Sequence, residues 1–281
     1  MFPVQTRGLG EGEGRHAAGD LTRWALLLEY DGTPFVGWQR QITGLSVQEV
    51  LETAAAKLNR DRPVTATVAG RTDAGVHAEA QVAQLDLPND IPAPKVRDAL
   101  NFHMKPHQVV VLCAAAAPDG WNARFSAISR AYRYRILNRR TRPALLVGRV
   151  WHVVAPLDTA AMHAAAQLLL GRHDFSSFRA ASCQANSPLR TLDRLDVRND
   201  GDMIEIIAEA RSFLHHQVRN MVGTLKLVGE GSWPMERVAA ALAARNRSAA
   251  GPTAPPDGLC LTGVRYPIDP FGDRAAPTAS A

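Results

Sequence analysis

The chain has 281 residues, 46% of them hydrophobic, so it can bury a sizeable core as one large domain or two smaller ones; a fibrous or wholly disordered protein is excluded. Its net charge is +5, and arginine supplies all but four of its 32 basic residues, which suits forked contacts with a polyanionic partner. Cys113, Cys183 and Cys260 are odd in number and far apart, which argues against a disulfide framework or a zinc site and fits a cytoplasmic home, while no apolar run is long enough to span a membrane.

Residues 1–20 read as a disordered N-terminal tail without the apolar core of a signal peptide. The run "TRWALLLEY" (22–30) predicts a buried strand, followed by the glycine-containing loop "DGTPFVGWQRQITG" (31–44). Ser46 and Glu49 have capping-box spacing, and Val47, Val50, Leu51, Ala54 and Leu58 form one helical stripe behind them. A strand "VTATV" (64–68), a glycine loop, a strand at 80–87, a helix near 94–103 and a strand at 108–116 complete the order βαββαβ.

That order returns in the second half. "SRAYRYRILN" (129–138) alternates as a strand, and Asp158 caps a helix through Met162, Ala166 and Leu169 towards Gly171. Strands follow near 190–198 and 202–210, then an amphipathic helix at 215–229, a short helix at 235–245 and a last strand at 259–266. The expected fold is α+β: two split-βαβ halves, ferredoxin-like or RNA-recognition-like, with antiparallel sheets side by side and a cleft between them. The halves would span 21–120 and 121–268, with a second disordered tail at 269–281. Two unrelated α+β domains are the alternative.

Four stretches carry candidate chemistry. In "GRTDAGVHA" (70–78), Asp73 sits between glycines at a strand end, where Arg71 and turned-in backbone N–H groups would keep it ionised for use as a nucleophile or base. A salt-bridged turn is the competing reading. On 129–138, Tyr132, Tyr134 and Ile136 share one face, opposite Arg133 and Arg135. Core packing accounts for Tyr134 and competes on equal terms with base stacking for Tyr132, while the arginines suit phosphates. In "RSFLHHQVRNMVGTL" (211–225), Arg219 adjoins the apolar stripe and requires an anionic partner. His215 and His216 are adjacent, so their side chains are expected to diverge and serve as cap or RNA contacts rather than as metal ligands. Finally, "YDGTPFVGWQRQ" (30–41) and "GRHDFSSFR" (171–179) read as loops mixing aromatic, basic and small polar residues, suited to looped RNA, with Trp38 and Phe175 as possible buried anchors.

Taken in order, "YDGTPFVGWQRQ", "AGRTDAGVHA", "ARFSAISRAYRYRILN", "GRHDFSSFR", "HHQVRNMVG" and "GLCLTGVRYP" resemble the tRNA pseudouridine synthase A family over about residues 22–268. The resemblance implies isomerisation of uridines 38, 39 and 40 in the tRNA anticodon stem-loop, without cofactor or metal, by a homodimer. It assigns Asp73 as the catalytic aspartate, with Arg71 in its loop, Tyr132 against the target base and Arg219 paired with the aspartate. Two rivals differ in class. A non-catalytic RNA-binding protein would carry aromatic pairs in the recognition-motif pattern, and a metal-dependent hydrolase would carry clustered carboxylates; neither feature is found here.

Overall fold

Strand β1 (Leu21–Tyr30) alternates its side chains between two apolar environments. Trp24, Leu26, Leu28 and Tyr30 enter the main core, whereas Ala25 and Leu27 join a smaller cluster around Trp121 and Tyr266 on the other face. The computed structural model describes residues 21–89 and 91–272; the N-terminal tail and residues 273–281 of the C-terminal one lie outside this range. After β1 come α1 (Val47–Leu58), β2 (Thr67–Val68), β3 (His77–Pro88), α2 (Ala93–His103) and β4 (Val109–Ala116). The Glu49 N–H donates to the Ser46 side chain at the head of α1, as the capping-box spacing predicts.

The chain continues through β5 (Ser129–Asn138), β6 (Trp151–Val153), α3 (Thr159–Gln167), β7 (Gly171–Asp174), β8 (Leu189–Asp200), β9 (Met203–Ala210), α4 (Gln217–Gly229), α5 (Glu236–Ala244) and β10 (Leu259–Arg265). The ten strands belong to one sheet, ordered β4-β1-β3-β10-β5-β9-β8-β7, with β2 on β3 and β6 on β5. Its pairs are antiparallel except for β5 with β6 and β3 with β10. The sheets expected side by side are therefore joined into one. The join is short, Cys260 opposite His77 and Leu261 opposite Ala78, and it lies immediately after the loop that carries Asp73.

Several local expectations change. Only Thr67–Val68 of "VTATV" pairs as a strand, because its partner β3 is met for two residues only. The first four residues of the 171–179 loop form β7 against β8, too short and polar to show an alternating apolar pattern. Asp158 does cap α3 through the Ala161 N–H, but the helix ends at Gln167. Helix α4 begins at Gln217 and buries nearly its whole circumference, including Asn220 and Thr224, rather than one stripe.

Close packing of α4 depends on Gly223, where an added Cβ would lie 1.8 Å from the Pro252 carbonyl oxygen. That clash cannot be relieved by rotating a side chain. Gly223→Ala should therefore lower stability by about 3 kcal/mol, seen as a fall in the urea midpoint at unchanged slope.

Candidate active site

The loop between β2 and β3 holds Asp73 by backbone contacts with the preceding glycine loop. Trp38 N–H donates to Thr72 O at 3.0 Å, and Gly75 N–H donates to Phe35 O at 3.3 Å. Gly37 lets these segments meet: its φ is +108° and a Cβ there would lie 2.7 Å from Thr72 O. Of the two motif glycines, only Gly75 has a left-handed backbone, with φ of +77°. Trp38 and Phe175 are core anchors, as is Tyr134, whose hydroxyl donates to Pro255 O. The motif's His77 faces away, accepting the Gly32 N–H at Nδ1.

Asp73 meets three cationic or ionisable groups from one segment. Arg219 Nη1 donates to its Oδ2 at 3.1 Å, His216 Nε2 lies 3.4 Å from the same oxygen, and His215 Nε2 lies 3.3 Å from Oδ1. Arg219 Nε donates to Ala254 O, which aims the guanidinium. The arginine thus has the carboxylate partner that its place beside an apolar stripe requires. Arg71 plays no such part; it is exposed and lines the surrounding cavity.

The histidines correct the expectation of divergence. His216 has φ of +61°, in the left-handed region, so the backbone turns between the two residues and their rings lie 4.1 Å apart, both over Asp73. Their donor atoms and the carboxylate lie within 4.8 Å of one another, a spacing a metal could use. Arg219, however, already sets a fixed positive charge on Oδ2, so the arrangement is one of a guanidinium and two imidazoles gathered around an anion.

Burial by itself would raise the Asp73 pKa, but the hydrogen bond from His215 and the charges of His216, His215 and Arg219 outweigh it and hold the carboxyl below its ordinary value. The bond to Asp73 raises His215 above 6.5, whereas burial lowers His216. These directions fix a pH dependence of stability. Asp73 stabilises the fold above pH 3.8, and this is lost as pH falls through its lowered folded value. His215 stabilises it below pH 6.5, and this is lost as pH rises through its raised folded value. His215→Gln should therefore narrow the gap to wild type on going from pH 6 to pH 9; with the imidazole 40% exposed, the gap stays under about 1 kcal/mol. Urea titrations at the two pH values measure it.

Tyr132 is 8% exposed and packs edge-on against Phe213 at 5.3 Å, with its ring lining the cavity. Burial is the main reason its hydroxyl stays protonated well above the ordinary range. Arg133 pairs with Glu79 and Glu205, and Arg135 lines a separate cavity of about 390 Å³, so neither reaches the Asp73 side. The residue sequence reasoning missed is Arg130. Its buried guanidinium donates to carbonyls of Ala69, Arg124, Ala127 and Arg211, tying together three segments at the cavity wall. Its position two residues before Tyr132 places it on the same strand face, which the alternation already implied.

Asp73, Tyr132 and Arg219 share one cavity of about 1590 Å³ with Arg71, Arg124 and Arg211. Those last three form no ion pair among the described residues. One guarded carboxylate, a ring beside it and unpaired arginines around it form a site for covalent or proton-transfer chemistry on a polyanion.

A family model described as tRNA pseudouridine synthase matches residues 27–126 and 165–267. The chain is 72% identical over 252 residues to tRNA pseudouridine synthase A of Acidiphilium cryptum, covering 89% of this chain and 99% of that one. It is 61% identical over 246 residues to the enzyme of the same name from Rhodospirillum centenum, covering 88% and 100%. The corresponding protein of Paramagnetospirillum magneticum is 59% identical over 258 residues, covering 92% and 100%.

Proposed function

The chain belongs to the tRNA pseudouridine synthase family of isomerases, and from that premise we propose that it converts uridines 38, 39 and 40 of the anticodon stem-loop, with Asp73 as its catalytic carboxylate. The observation that carries it is the Asp73 carboxylate, held ionised by Arg219, His215 and His216 in an arginine-lined cavity beside Tyr132.

The reaction breaks the N1–C1′ bond of uridine, turns the uracil and joins C5 to C1′. C5 gives up a proton and N1 gains one, so atoms balance without a redox carrier or cofactor. The chemistry calls for a carboxylate near C1′ and C6, a surface for the detached base and exclusion of water from the sugar intermediate. In our assignment Asp73 supplies the first, the Tyr132 ring the second, and the apolar floor around Phe213 helps with the third. Arg219 keeps Asp73 charged and placed, while Arg71 holds substrate phosphate at the rim. A base inside a stem must first be extruded, at a cost of a few kcal/mol that arginine and stacking contacts offset.

The halves 21–120 and 121–268 are read as two βαββαβ units, supported by strand orders β4-β1-β3-β2 and β10-β5-β9-β8. We further propose a homodimer acting on tRNA in the cytoplasm, with its three cysteines free. No helix among the described residues is long and apolar enough to cross a membrane.

Incubating the protein with uridine-labelled tRNA in chelator tests the function. Isomerisation at positions 38–40 is expected, seen as loss of tritium from uridine C5 with the strand intact. Binding alone, or strand cleavage, would replace this reading with one of its rivals.

A further inference from the structure

Phe125 is 74% exposed, yet its segment is held firmly. Asn122 Oδ1 accepts the N–H groups of both Arg124 and Phe125, Ser126 Oγ accepts the Asn122 N–H, and Arg130 binds the carbonyls of Arg124 and Ala127. A lone exposed phenylalanine on a loose loop would require no explanation. This one is presented by a hydrogen-bonded turn into the cavity that contains Asp73 and Tyr132, and the Arg124 guanidinium lies 5.5 Å from its ring centroid. The same cavity is also lined by Arg71 and Arg211, unpaired with carboxylates among the described residues, so an apolar protein segment would strand positive charge there. A nucleotide meets both demands, its base covering the ring and its phosphate meeting the guanidinium.

We propose that Phe125 is a stacking platform for an unpaired nucleobase flanking the reacting uridine, with Arg124 holding that nucleotide's phosphate. The proposal rests on the function given above and adds a second base-binding position to it. When the target uridine leaves the stack, the neighbour it exposes would gain a new aromatic partner.

The test is a double-substitution cycle between protein and RNA. Phe125→Ala and Phe125→Trp proteins are assayed with an anticodon stem-loop and with versions carrying one abasic ribose on either side of the target. Phe125→Ala should lower kcat/KM on intact RNA by about tenfold to a hundredfold, and Phe125→Trp should restore most of it. With one of the abasic RNAs, wild type should suffer the same loss and Phe125→Ala no further loss. The cycle is repeated as RNA affinity in the Asp73→Asn background, so it reads the stacking even where no pseudouridine forms; failure of the wild-type assay at every position would count against the function instead. A Phe125→Ala penalty that persists unchanged on every abasic RNA would overturn the proposal. So would a change of oligomeric state in Phe125→Ala by sedimentation, which would make the ring a contact between copies.

Discussion

Asp73→Asn should abolish pseudouridine formation, with a loss of about 10⁴-fold or more in single-turnover rate, while the protein stays folded and keeps most of its tRNA affinity. The substitution preserves shape and removes only the charge and its reactivity. Tertiary packing around residue 73 comes from backbone bonds at Thr72 and Gly75, which an asparagine leaves in place. Arg219 and the two imidazoles would lose their counterion, so RNA binding should largely hold as the negative charge leaves the cavity. Tritium release from C5-labelled tRNA, or mass mapping after pseudouridine-specific derivatisation, alongside filter binding, separates the two effects. Substantial turnover by Asp73→Asn or Asp73→Ala would refute the assignment.

Arg219→Met should lower kcat/KM by about 10²- to 10³-fold, the loss expected when a fixed charge stabiliser is taken from the carboxylate we propose as catalytic. Arg219 and Asp73 side chains are 13% and 20% exposed, so the pair is screened little by water. Removing the guanidinium leaves a carboxylate with only two imidazoles beside it, and stability should fall by about 2 kcal/mol, less than for a wholly buried pair broken on one side. Combining Arg219→Met with Asp73→Asn should recover part of that stability, because the stranded charge is then gone. Arg219→Lys keeps a charge but cannot bond Ala254 O and Asp73 in one planar fork, so it should rescue only in part. Arg219→Met within tenfold of wild type would show that the histidines alone suffice.

The periodicities of β1, α1 and β5 were legible because each depends on residues a few positions apart. The shared face of Tyr132 and Tyr134 follows from the same alternation, as does the face of Arg130, which sequence reading passed over. β7 was hidden because four polar residues carry no period. The histidine pair was misread for a different reason. Adjacent side chains normally point apart, and only the left-handed backbone at His216 turns both rings to one carboxylate.

Residue pattern was enough to place the longer strands and helices, to single out the glycine-flanked aspartate loop, and to require an anion for Arg219, since burying an unpaired guanidinium is too costly to leave unanswered. Which anion answers it is settled by the packing of distant segments. Asp73 and Arg219 are 146 residues apart and become neighbours once β10 inserts between β3 and β5 in the one sheet. The same packing decides that Arg71 faces the cavity while His215 and His216 guard the carboxylate. Local periodicity is set by backbone geometry over a few residues, whereas the meeting of distant charges depends on strand pairing and on which side chains remain to neutralise a buried group.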